Sequence, residues 1–330
     1  MIGLLFLLLV GLVLAVALMT VLMMHRLRHP PRKTYAWAVS RSKPGTPMEL
    51  PSARAFEAVL LKLGGRELPG WRIAGDNPRG PLVVHTPGWG DSRLGVLPRL
   101  GGFLACASAV LTWDPPGLGD AEGTCDLGVS EPRLLAELIE REIEADPSVV
   151  DRGIVLFGSS LGGGVSIVAA ASRDVAPASA FHARLSDRAR GAIRGVIAEA
   201  PYRLAPTPAH NVMELSGLPH RVNGALAFWI LGLTRGGPAW RGFDRALHAA
   251  NLGCPLLVVH PALDEVSPLE DGRAIAAAVP GGRGRLVVIA GGSHNTLWTD
   301  EVTRGETVRV VRGWLEELLK EASGRSLCSG

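Results

Sequence analysis

The chain has 330 residues, enough for one large domain or two small ones. Hydrophobic residues make up 47% and charged residues 20%, which excludes a disordered polyelectrolyte and leaves ample apolar material for a core. Thirty-four basic residues stand against 31 acidic ones, a formal net charge of +3 that is too balanced for a protein holding nucleic acid by electrostatics.

Met1 to Met24 carries no charged side chain. As a helix it reaches about 36 Å, enough to cross the hydrocarbon core of a bilayer. A cationic flank follows, with Arg26, Arg28, Arg32 and Lys33. A cleaved signal peptide calls for a basic start, a shorter apolar stretch and a small-x-small cleavage site; Ala15 to Met19 matches that poorly. The reading is therefore a single-pass transmembrane anchor over 1–24, a basic, Pro-rich juxtamembrane linker over 25–54 and a catalytic domain over 55–330. The positive-inside rule places the flank, and with it the domain, in the cytoplasm. Cys106, Cys125, Cys254 and Cys328 form no C-x-x-C pair, so they read as reduced and mostly buried thiols rather than a disulfide or zinc framework.

After the linker, short β-rich apolar runs alternate with helical patterns, as in a parallel sheet with crossover helices. Strands are expected at Trp71–Ala74, Leu82–Thr86, Ala107–Trp113, Gly153–Phe157, Gly195–Ala198, Leu256–His260 and Leu286–Ala290. Ser130-Glu131-Pro132 reads as a helix start before Leu134, Leu135, Leu138, Ile139 and Ile143. Further helices are expected over Gly162–Ser172, Arg273–Val279 and Glu301–Lys320. Residues 203–250 break the alternation with four prolines and one apolar helical piece, Ala225–Leu233, and read either as a lid-like insertion or as an ordinary connection.

The pentapeptide Gly158-Ser159-Ser160-Leu161-Gly162 fits G-x-S-x-G. An apolar strand precedes it and a small-residue helix follows, the context in which a tight strand-to-helix turn projects a serine Oγ from the sheet edge. A serine hydroxyl needs a base and a group that orients the base. His294, in the turn Gly291-Gly292-Ser293-His294-Asn295, is the best-placed base. His85 and His260 lie in strands and read as core histidines. Asp264, after the strand ending at His260, is the expected acid in the chain order Ser, Asp, His; Glu199, just past another strand, is the alternative acid. The main-chain N–H groups of Leu161 and Trp89 are the candidate oxyanion donors. No H-E-x-x-H is present, so a zincin reading fails.

Taken together, these blocks resemble the α/β-hydrolase superfamily over about residues 68 to 320. Pro87-Gly88-Trp89-Gly90-Asp91-Ser92 resembles its H-G-x-G-x-S block, and Asp114 to Gly123 its D-x-x-G-x-G-x-S-x-G block. Gly158–Gly162 is similar to its nucleophile elbow. His260 to Pro268 resembles its acid loop and Gly292–Asn295 its histidine loop. Pro87 and Pro261 depart from the common His and Gly at those positions. Within the superfamily the chain is similar to the membrane-tethered Bem46-like serine hydrolases. The resemblance implies an α/β-hydrolase fold, a mostly parallel sheet with helices on both faces. It also implies a serine hydrolase cleaving a carboxylic ester or thioester, with no metal or organic cofactor. A serine in the elbow argues against the dehalogenase and epoxide hydrolase chemistries that use aspartate there. The anchor suggests a lipid acyl ester as substrate. An acyltransferase on the same three residues and a non-catalytic membrane-tethered scaffold are the alternatives.

Overall fold

The computed structural model describes residues 2–171, 185–215, 217, 221–234, 240 and 242–327. Eight strands form one sheet in the order β1-β2-β4-β3-β5-β6-β7-β8. They are β1 (Phe56–Leu63), β2 (Arg66–Ala74), β3 (Leu82–Thr86), β4 (Ala109–Trp113), β5 (Ile154–Ser159), β6 (Ile193–Glu199), β7 (Leu256–Pro261) and β8 (Gly284–Ile289). β1 and β2 pair antiparallel, as do β2 and β4; all other neighbours are parallel.

The seven expected strands are all present, with ends shifted by up to a few residues and the first extended back to Arg66. β1 was not expected. Its sequence alternates imperfectly, with Leu60 and Leu61 adjacent, so period-two patterning is weak. The turn behind it was the better signal. Gly64-Gly65 takes φ of +56° and +71°, the two-residue turn that closes a hairpin and pairs Leu63 with Arg66.

The strands β3 to β7 are buried on both faces, and successive residues feed opposite cores. Ile154 and Leu156 of β5 enter one core; Val155 and Phe157 enter the other. The first core is covered by α3 (Glu131–Ala145), α5 (Leu161–Ala170), α6 (Asp187–Ala192) and α10 (Leu269–Ala278). The second is covered by the 3-10 segment Arg93–Gly102, by α2 (Tyr35–Val39) and by α11 (Glu301–Leu327). A short α4 (Val149–Arg152) leads into β5. Ser130 sits at the start of α3 without capping through its side chain. Glu131 serves the turn instead, its carboxylate accepting from the N–H groups of Asp126 and Gly128 at 3.0 Å each.

Between β6 and β7 lie α7 (Pro206–Leu215), α8 (Arg221–Thr234) and α9 (Arg245–Ala249). At the amino end, α1 (Ile2–Arg28) is the one helix among the described residues that is long and apolar enough to cross a membrane. Most of it stands clear of the fold, but Thr20, Met23 and Leu27 are buried, and α8 packs against it. The segment after α1 also lies on the domain. Ala38 is fully buried in the second core, with Trp37 and Leu50 packed beside it. Cys106, Cys125 and Cys254 are free and buried; Cys328 lies outside the described residues.

Candidate active site

β5 ends at Ser159 and α5 begins at Leu161, so Ser160 makes the whole turn. Its φ of 51° and ψ of −113° are a backbone conformation that a residue with a Cβ rarely adopts, at a cost on the order of 1–3 kcal/mol. The neighbouring glycines make the turn possible. A Cβ on Gly162 would collide with the carbonyl oxygen of Thr86, and one on Gly158 with the carbonyl of Gly162. The Ser160 N–H donates to the Glu199 main-chain oxygen at 2.7 Å, which fixes the turn against the next strand. As the first residue of α5, Leu161 presents one of the main-chain N–H groups that a helix leaves without an internal acceptor.

Asp264 follows β7 and His294 follows β8, and the two meet although thirty residues separate them. His294 Nδ1 lies 2.9 and 2.8 Å from the two carboxylate oxygens of Asp264. Asp264 Oδ1 also accepts from the main-chain N–H groups of Val266 at 2.8 Å and Ser267 at 2.7 Å. Both side chains are buried. A carboxylate so held accepts a hydrogen bond from the Nδ1–H of the imidazole and leaves the lone pair on Nε2.

Ser160 and His294 line one cavity of about 910 Å³. Leu161, Gly88 and Trp89 line it too. A Cβ on Gly88 would come within 3.1 Å of the Ser159 oxygen and 3.4 Å of the Ser160 Cβ, so the loop after β3 passes directly over the serine. All five residues expected at the catalytic centre or oxyanion site therefore converge on this region, with Asp264 one step behind His294.

Glu199, the alternative acid, also reaches the cavity wall but is held by other partners. Its carboxylate accepts from Arg99 at 2.9 Å (Nε) and 2.6 Å (Nη2), and from Trp298 Nε1 at 2.6 Å. Burial works against the Arg99 charge, but Glu199 outweighs it and raises the guanidinium pKa above its ordinary value. His85 and His260 are buried in the sheet. His85 Nδ1 meets Thr112 Oγ1 at 2.8 Å, and burial, reinforced by Arg99, pushes its pKa down to about 3. His260 Nδ1 meets the Pro261 carbonyl at 3.0 Å. His182 and His220 lie outside the described residues.

Sequence reasoning missed how much of the cavity wall comes from the first fifty residues. Leu27, Pro31, Lys33 and Trp37 line it. Lys33 donates to the Asp91 carboxylate at 3.0 Å, and the Trp89 indole donates to the Leu27 carbonyl at 2.7 Å. Burial pushes the Asp91 pKa up, but Lys33 and Arg99 outweigh it and hold the carboxyl below its usual range. Nothing in a Pro-rich basic stretch announces such contacts; Asp91, charged inside a glycine-rich loop, was the one available hint.

The Asp114–Gly123 block braces this loop from the other side. Asp114 is fully buried and accepts from the Arg93 N–H at 2.6 Å, from the Asp120 N–H at 2.9 Å and from the Arg93 guanidinium. Burial outweighs Arg93 and pushes its pKa up to about 6. Asp120 binds Arg93 at 2.6 Å. Among the described residues no group of three or more His, Cys, Asp or Glu side chains could hold a metal ion.

Residues 82–309 match the model of the Alpha/beta hydrolase family. Several solved structures share the fold. An esterase of Pyrococcus furiosus superposes with a TM-score of 0.62 at 18% identity, covering 87% of this chain and 98% of its own. A monoacylglycerol lipase of Paleococcus ferrophilus gives 0.54 at 20% identity, covering 76% and 99%. A predicted CIB-like hydrolase of Thermoplasma acidophilum gives 0.51 at 17% identity, covering 80% and 99%. No functionally curated protein matches the chain in sequence.

Proposed function

The chain belongs to the alpha/beta hydrolase family, and from that premise we propose that it is a serine hydrolase cleaving a carboxylic ester or thioester through Ser160, His294 and Asp264. One observation carries this reading: the strained elbow serine faces the same cavity as a histidine whose Nδ1 is engaged by a buried aspartate.

The chemistry follows from the roles. Ser160 Oγ attacks the acyl carbon while His294 Nε2 takes the hydroxyl proton; Asp264 fixes the tautomer and stabilises the imidazolium. The carbonyl oxygen becomes an anion, which the N–H groups of Leu161 and Trp89 receive, with the amino end of α5 adding its favourable dipole. His294 then gives its proton to the departing alcohol or thiol. Water, deprotonated by His294, attacks the acyl-serine; the second anion collapses and releases the carboxylic acid as His294 returns the proton to Ser160 Oγ.

α1 supports a membrane-tethered form, with its apolar length and the basic residues that follow. Tethering raises the concentration of partitioned substrate at the cavity, so the favoured substrate is a lipid acyl ester. The test is hydrolysis of a short-chain nitrophenyl ester by the purified chain and by Ser160→Ala. Activity present in the first and absent in the second is expected. Equal activity in both would remove the assignment.

A further inference from the structure

The helix α8 carries no charged residue from Asn223 to Thr234. One side is spent on the core: Ala227, Phe228 and Leu231 are buried. The other side is also apolar. Ala225, Trp229 and Leu233, spaced four apart, form an exposed line flanked by half-buried Leu226 and Ile230. Trp229 is 55% exposed and Leu233 51%. A helix that is apolar all round belongs in a core or in lipid, and this one has only half its circumference covered. At the end of α7, Leu215 is 62% exposed and at the same time lines the cavity.

Position identifies what covers the stripe. α8 packs on α1, whose buried residues Thr20, Met23 and Leu27 follow helical spacing toward its carboxyl end. If Arg26, the first charge, marks the headgroup level, Thr20 lies about 9 Å inside the hydrocarbon. An element packed along that stretch of α1 is carried into the same layer. Arg26, Arg28 and Arg32 then sit at the level of anionic headgroups.

We propose that the outer face of α8, through Trp229 and Leu233, is embedded in the leaflet that α1 enters, so that acyl chains reach the cavity laterally from the bilayer. This rests on the membrane-tethered reading above and adds to it a second membrane contact. The leaflet would supply the substrate along the wall formed by Leu27, Leu215 and Phe228, all of which line the cavity.

The test uses the full-length chain in vesicles of phosphatidylcholine and phosphatidylglycerol brominated at mid-chain. Bromine quenching of tryptophan fluorescence is expected, and Trp229→Phe should lose the corresponding share of it while floating with the vesicles as before. Failure to float after an alkaline wash removes the anchor and this proposal with it. Flotation with equal quenching of both chains leaves the anchor standing and overturns the embedding of α8 alone. A second arm measures turnover. Trp229→Ser combined with Leu233→Ser should slow hydrolysis of a vesicle-embedded long-chain ester about tenfold and leave a soluble short-chain ester unaffected. If that pair instead converts a detergent-solubilised dimer to monomer with both rates unchanged, the stripe joins two copies of the chain and the proposal is overturned.

Discussion

The indole Nε1 of Trp89 donates a 2.7 Å hydrogen bond to the main-chain carbonyl of Leu27. One residue belongs to the loop that crosses over Ser160 and the other to the last turn of α1. The bond therefore ties α1 to the loop that would receive the oxyanion, and the Lys33–Asp91 pair ties the segment after α1 to the same loop.

The first fifty residues should consequently matter to catalysis itself as well as to location. Trp89→Phe keeps the ring and removes the donor, and should lower kcat on a soluble ester about fivefold, the worth of one hydrogen bond. A chain beginning at residue 52 should be far less active on soluble esters even when folded by circular dichroism. Full soluble activity from the shortened chain would make the contacts incidental.

Glu199 lines the cavity and Asp264 backs it through His294, and their partners divide their roles. Asp264→Asn should lower kcat by on the order of 10⁴-fold, because it leaves His294 without the acceptor that sets its tautomer. Glu199→Gln should spare much of the chemistry but destabilise the fold by about 3–5 kcal/mol, since it leaves the buried Arg99 charge unpaired. Steady-state kinetics and thermal unfolding of both variants check the division; reversed effects would exchange the assignments.

The strain at Ser160 has a thermodynamic signature. Ser160→Gly removes the Cβ that makes φ of 51° unfavourable, whereas Ser160→Ala keeps it. Both should be inactive. The glycine variant should be the more stable by about 1 kcal/mol, after the larger unfolded-state entropy of glycine is set against the relieved strain. Denaturant midpoints measure the difference directly.

The elbow, the acid loop and the histidine loop were legible because each depends on local sequence: a strand, a turn and a polar residue at a fixed offset. The strands β3 to β7 were legible because burial on both faces leaves nearly unbroken apolar runs. β1 escaped because it is an edge strand, with exposed Leu60 set among Glu57 and Lys62. The Arg99–Glu199 pair spans one hundred residues, and Lys33–Asp91 fifty-eight. No local pattern encodes such contacts, so the lining of the cavity by the segment after α1 became visible only in the fold.

Acid should weaken the protein through His85. Its folded pKa of about 3 lies below the 6.5 of the unfolded chain, so between those values the unfolded state binds the extra proton. The stability contributed by the neutral imidazole is thus fully present above pH 6.5 and is lost as pH falls toward 3. By pH 4.5 the loss should be about 3 kcal/mol. His85→Leu should lack this slope, whatever its stability at neutral pH. Unfolding midpoints at several pH values for both chains settle the sign, and parallel curves would contradict it.

The most direct measurement of the central claim is covalent labelling of the folded chain with a fluorophosphonate, followed by mapping of the modified peptide. A single adduct on Ser160 is expected, formed slowly in His294→Ala and not at all in Ser160→Ala. An adduct on another residue, or none on folded protein that still hydrolyses esters, would contradict it.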